Sequence, residues 1–273
     1  DTIDALSAST VADITANLSI NSGSENNVDS FTSGATQGTG NVNLRGLGLT
    51  STLVLLDGKR HTLAGIAAND GSVFVNTNII PVNAIERVEI LKEGAASVYG
   101  SDAVAGVVNY IFRRDFEGIE VDVSSQEADL GGQTDDKVSV IFGTPLGNGN
   151  LVVAVSSLDR SPLFGSEFNP SLVPLGISGF GTSFLAFGGG TVESGPYAGT
   201  YSFLENIPDP NCIANKGILL PQASGQRCGF FFGDRFNLVN DEDHLNTYTS
   251  FKTELSTGAT FSIDYLNSSI DVN

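Results

Sequence analysis

Five stretches in the second half of the chain alternate apolar and polar residues with a period of two. In GIEVDVSS (118–125), Ile119, Val121 and Val123 alternate with Glu120, Asp122 and Ser124. In KVSVIFG, Val138, Val140 and Phe142 share a face, as do Leu151, Val153 and Val155 in NLVVAVS. Phe251 and Leu255 continue the pattern more weakly, and Phe261, Ile263 and Tyr265 alternate with Ser262 and Asp264. The pattern predicts antiparallel strands with one apolar and one polar face. The connections alternate too: short turns at 144–149 (TPLGNG) and 256–259 (STGA), but an insert over about 161–242. An insert of that length is unusual inside a compact soluble domain and fits the long-loop side of a membrane barrel.

The first half is patterned differently. Residues 10–18 predict a short helix, with Thr10 and Asp13 as a capping pair and Val11, Ile14 and Leu18 on one face. A Ser/Gly/Asn/Thr tract from Asn21 to Gly40 predicts a loop. Strands are expected at 41–46 (NVNLRG) and 51–58 (STLVLLDG), then a polar loop at 61–76. AIERVEILKEG (84–94) alternates imperfectly, and the continuously apolar AGVVNYIF (105–112) predicts a buried strand. Short elements and large loops make this half α+β.

With 13 basic and 31 acidic residues the net charge is −18. Residues 1–117 hold 7 basic and 13 acidic residues, net −6, and residues 118–273 hold 6 and 18, net −12. No nucleic-acid partner is expected, because phosphate affinity rests on clustered Lys and Arg. No apolar run is long enough for a transmembrane helix. The opening DTIDALSAST lacks the basic and apolar regions of a secretion signal. Cys212 and Cys228 lie 16 apart in a polar stretch, a spacing that suits a disulfide-closed loop, with two free thiols as the alternative.

No catalytic constellation is found. His61 and His244 are the two histidines, and no Gly-x-Ser-x-Gly elbow accompanies them. Asp135-Asp136 and Asp241-Glu242-Asp243 lack calcium-loop spacing and are expected to be solvated loop charges. No catalytic residue, metal site or cofactor is expected.

NVNLRGLG (41–48), TLVLLDGKR (52–60) and IPVNAIERVEILKEGAASVYGSDAVAGVVNYIF (80–112) stand in a fixed order. In order and spacing they resemble the plug domain of TonB-dependent outer-membrane receptors. The resemblance implies an α+β plug at 1–117. Antiparallel transmembrane strands follow at 118–273, an incomplete part of a barrel of the 22-stranded type. Nothing before Thr10 matches the family's TonB-recognition segment. Because an open sheet cannot span lipid, the chain by itself is expected to be a fragment of the transporter.

The implied function is active import of a scarce nutrient through the outer membrane, driven by TonB and its proton-powered partners. Iron-siderophore, cobalamin and oligosaccharide receptors share this plug, so the ligand class stays open. From the other class of function, a surface β-rich adhesion protein without transport is the rival reading. In the family, plug loops floor the ligand site, which assigns substrate binding here to His61, Asn69, Asp70, Ser72 and Phe74. Plug charges at Arg45, Glu86, Arg87, Glu89 and Lys92 are expected to meet the barrel wall. The Cys212–Cys228 loop is expected on the extracellular side.

Overall fold

The computed structural model describes residues 8–26, 36–92, 95–129, 132–169, 177–178, 183–222, 225–232 and 236–273. Gly94, the last residue of the AIERVEILKEG run, lies outside them. The chain divides into two compact units: the described residues up to Pro162 together with Leu238–Asn273, and Leu163–Asn237.

In the first unit, α1 (Val11–Ala16) starts where Thr10 accepts the N–H of Asp13 and the Asp13 carboxylate accepts the N–H of Thr10. This reciprocal capping satisfies donors that the helix cannot. The helix ends at Ala16, two residues short of the expected Leu18. The run at 41–46 is not a strand. Only an Asn21–Leu44 bridge forms there, because asparagine side chains take over the backbone: Asn26 accepts Asn41 N, and Asn21 accepts Asn43 N.

Next come β1 (Thr52–Leu56), β2 (Lys59–Arg60), β3 (Ile85–Leu91), α2 (Ala96–Tyr99) and β4 (Gly106–Phe112). They make a sheet of order β2-β1-β4-β3, with β4 parallel to β1 and antiparallel to β3. As the inner strand, β4 is buried along most of its length, which explains its unbroken apolar run. Asp57-Gly58 closes the β1–β2 hairpin with both residues at positive φ, the geometry that matches strand twist.

The five alternating stretches are five strands: β5 (Gly118–Glu127), β6 (Thr134–Leu146), β7 (Gly149–Arg160), β8 (Glu242–Glu254) and β9 (Thr260–Val272). They form one antiparallel sheet in the order β9-β8-β7-β6-β5. The β6–β7 turn is tighter than expected, Leu146 pairing directly with Gly149. One face of this sheet packs on the plug. Ile141, Val152, Ala154 and Tyr248 join the same core as Val108, Tyr110 and Phe112, and the rings of Phe112 and Tyr248 stack at 4.3 Å. The other face is apolar and open: Ile119 is 69% exposed and Val123 71%. Among the described residues the sheet has two unpaired edges, β5 and β9.

The second unit carries short strands, the longest being Ile218–Gln222 and Gly225–Phe231, which pair antiparallel. A Cys212–Cys228 disulfide, both residues buried, ties this hairpin to the preceding turn. The insert expected as loop over 161–242 therefore has a small sheet of its own.

Candidate functional site at the plug loops and the plug–wall contact

The 61–76 loop leaves β2 and folds back on itself. Ala64 N donates to Phe74 O at 2.7 Å, and Ala68 N donates to Ser72 O at 2.9 Å. Phe74 is 3% exposed and packs with Leu49 and Ala68. Its ring is thus the anchor of the loop, and stacking on a ligand would require it to leave that cluster. Asn69 and Asp70 stand exposed at the tip, with Ser72 half-buried. Asn69 N donates to both carboxylate oxygens of Glu25, at 3.1 and 3.0 Å. Ser72 N donates to Asp70 Oδ1 at 2.8 Å. That bond, from backbone and hydroxyl of Ser72, holds the Asp70 carboxyl below the usual carboxylate range. The tip therefore gathers Asn69, Asp70, Ser72 and Glu25 into a polar, anionic cluster.

His61 is not part of it. Its Nδ1 lies 3.2 Å from Thr62 O, and the ring borders a cleft of about 360 Å³ together with Asp57, Lys59, Arg114, Asp264 and Tyr265. At this cleft the plug meets the sheet. Arg114 Nε donates to Asp57 Oδ2 at 2.8 Å and its Nη2 to Asp264 Oδ2 of β9 at 2.7 Å. Lys59 Nζ reaches the same Asp264 oxygen at 3.3 Å. Burial disfavours the charge on Arg114, but Asp57, Tyr248 and Asp264 more than offset this and raise its pKa. Asp57 also accepts the N–H of Phe112 at 3.0 Å, so one turn residue fixes the end of β4 and the segment that leads into β5.

The plug charges expected at the wall are placed differently. Arg45 is exposed at a positive-φ turn. Arg87 pairs with Glu86 at 2.6 Å and Glu89 at 2.9 Å, its neighbours on β3. These charges and Lys92 lie exposed on β3, an edge of the plug sheet, or just beyond it. Contacts to the five-stranded sheet come instead from other residues. Lys137 Nζ donates to Ala8 O at 2.9 Å, Asn83 Nδ2 to Val155 O at 3.3 Å, and Asn246 Nδ2 to Asn78 O at 2.8 Å. The one signal was the polar alternation His244, Asn246, Tyr248, Ser250 along β8, which is the face that turns inward.

Two acidic clusters also need correction. Asp135 lies on β6 and Glu242 on β8, and Glu242 is 1% exposed rather than solvated. Arg160 joins them, at 2.7 Å to Asp135 and 3.2 Å to Glu242, and His244 Nε2 is 3.1 Å from Glu242. A buried carboxylate is tolerable here because the guanidinium neutralises it. Among the described residues no group of His, Cys, Asp or Glu is arranged to hold a metal ion.

The first part of the chain matches a known family. Residues 1–107 match the family model described as the TonB-dependent receptor plug domain. The iron-regulated outer membrane virulence protein of Vibrio cholerae serotype O1 is 41% identical over 78 residues, 28% of this chain and 12% of that protein. The matching stretch therefore covers about an eighth of that relative's length. A mutant ferric enterobactin receptor from Pseudomonas aeruginosa aligns with a TM-score of 0.49 at 18% identity, covering 89% of this chain and 29% of that one. A siderophore receptor from Acinetobacter baumannii aligns with a TM-score of 0.42 at 17% identity, covering 89% and 36%. The first 107 residues of this chain belong to the TonB-dependent receptor plug domains.

Proposed function

We propose that the chain is the plug and adjoining wall of an outer-membrane receptor, which captures a scarce nutrient and imports it under the pull of TonB. The observation that carries this reading is the two-faced sheet. Its inner face meets the plug through Asn246, Tyr248, Asp264 and Lys137, while Ile119, Val121, Val123 and Ile263 open outward. A lumen-facing polar side and a lipid-facing apolar side are what a barrel wall requires.

In this reading residues 1–117 are the plug and 118–273 the start of the wall. The loop tip with Asn69, Asp70 and Ser72 contributes to the floor of the ligand site, and His61 acts at the plug–wall cleft. The charges of Arg45, Glu86, Arg87, Glu89 and Lys92 face wall strands beyond the five. The disulfide-tied unit is an extracellular loop.

Iron carried by a siderophore is the first ligand class to test, because the Vibrio cholerae relative of the plug is described as iron-regulated. The probe is ferric enterobactin carrying radioactive iron, given to cells with and without the intact receptor. Saturable accumulation that needs both the receptor and TonB is the expected result. Equal accumulation in both strains would remove this ligand, and receptor-dependent binding without TonB-dependent entry would remove the transport reading.

A further inference from the structure

Asn78 is 6% exposed and lies in the 3-10 turn Thr77–Ile79, just past the 61–76 loop. Every polar group it has is engaged, each with a different part of the molecule. Its Oδ1 accepts the N–H of Ala12 at 3.0 Å, in the first turn of α1. Its Nδ2 donates to Gly38 O at 3.3 Å, and its carbonyl accepts from Asn246 Nδ2 of β8 at 2.8 Å. Its own N–H donates to Asn76 Oδ1 at 3.0 Å, and the same oxygen accepts Gly40 N at 3.0 Å. Thr77 N closes the set by donating to Gly40 O at 2.8 Å.

The junction has no slack. A Cβ on Gly40 would come within 2.6 Å of Asn78 Oδ1 and 2.7 Å of Thr77 Oγ1. A Cβ on Gly38 would come within 2.7 Å of Val272 on β9. The stem of the 61–76 loop, the 38–40 segment and the wall are thus in close contact, with the Asn78 amide at the centre. The bond to Ala12 answers a need of the helix as well, because donors in a first turn have no intrahelical acceptor. Leaving such a buried donor unpaired is costly, so the junction moves as one body or breaks.

We propose that Asn78 is the coupling residue between the 61–76 loop and the first helix of the plug. Any change at the loop that displaces Asn76 moves the Asn78 amide, and the N–H of Ala12 then loses its acceptor. The start of α1 is freed from the Asn78 junction without unfolding of the plug sheet. That this serves transport rests on the receptor reading above; the coupling itself is a property of the junction.

Hydrogen–deuterium exchange on the intact receptor in detergent, with no ligand and no TonB present, tests it. The peptide covering 10–17 reports α1, and the peptide covering 106–112 reports the plug core. Asn78→Ala is expected to speed exchange in the first by about tenfold and leave the second protected. Asn76→Ala, which removes the side chain that bonds Gly40 and Asn78, should speed it as well, and the double variant should be no faster than Asn78→Ala alone, since coupled effects do not multiply. Asn78→Asp keeps an acceptor for Ala12 and loses the donor to Gly38. It should leave α1 near wild type while the 36–40 segment exchanges faster, a split that general destabilisation would not give.

An unchanged α1 in Asn78→Ala, or effects of Asn76→Ala and Asn78→Ala that multiply, would overturn the proposal. If Asn78→Ala exposes the core as well, the Asn78→Asp split and the Asn76→Ala effect decide, and absence of either overturns it. Coupling that survives where uptake fails would remove the receptor reading alone.

Discussion

Arg114 ties the β1–β2 turn to the five-stranded sheet. Its two partners come from opposite sides of the contact, Asp57 in the plug and Asp264 in β9, and its side chain is 17% exposed. Removing it leaves two half-buried carboxylates facing each other, so Arg114→Ala should lower stability by about 1–3 kcal/mol. Chemical denaturation of the receptor in detergent measures this, and an Asp264→Asn background should shrink the loss. Equal losses in both backgrounds would mean the pair does not couple the two parts. Asp70 allows a second expectation. A carboxyl whose pKa is lowered by folding keeps its charge as pH falls past the unfolded value and loses it only at the lowered one. Affinity that depends on Asp70 should therefore be flat between about pH 5 and 8. Alanine at Asn69 or Asp70 should weaken binding of the labelled siderophore to whole cells, and alanine at His61 should not. The sequence made the candidate residues legible only in part. It picked out polar residues in one loop, but could not show that Phe74 packs inward or that His61 lies beside Asp264, some 200 residues along the chain. Such meetings are set by tertiary packing, which local pattern does not carry.

At the scale of elements, alternation was the most reliable guide. β5 to β9 stand where period-two patterning put them, except that Leu255 lies just past β8, because a strand with one face covered and the other open must alternate. Where a segment satisfies its backbone by other means, the pattern misleads. The run 41–46 looks like a strand, yet Asn21 and Asn26 take its donors and leave a looped chain. The lipid face gives a direct expectation. Val121 lies mid-strand, paired with Val140 and open to the outside. Val121→Arg should cost about 2–4 kcal/mol of bilayer stability, whereas Asp122→Arg on the same strand should cost far less. Reversible unfolding in phospholipid vesicles reads the difference, and similar costs would argue against a lipid-facing side. The Cys212–Cys228 link gives another. Loop entropy assigns it about 3 kcal/mol within its own unit. Reduction should make residues 206–231 sensitive to protease and leave the plug sheet intact; unchanged cleavage there would show the small sheet holds without it.

For the whole molecule, the central claim is that the five-stranded sheet is a wall with the plug on its lumen side. Plug and sheet share one hydrophobic core, in which Tyr110 and Phe112 meet Ile141, Val152 and Tyr248. The outer face has no such cover, and its exposed Ile119, Val121, Val123 and Ile263 would aggregate in water. The direct measurement is lipid access along one strand. Single cysteines replace residues 119 to 123 in turn in the intact receptor. The two cysteines of this chain are paired with each other, so a new thiol in it can take a nitroxide spin label without reductant. The protein is placed in phospholipid bilayers, and collision with oxygen, which concentrates in lipid, is compared with collision with a water-soluble nickel complex. The account expects a period of two: oxygen access high at 119, 121 and 123, and low at 120 and 122. Equal access of the nickel complex to all five positions would mean that both faces are in water, and the wall reading would fall.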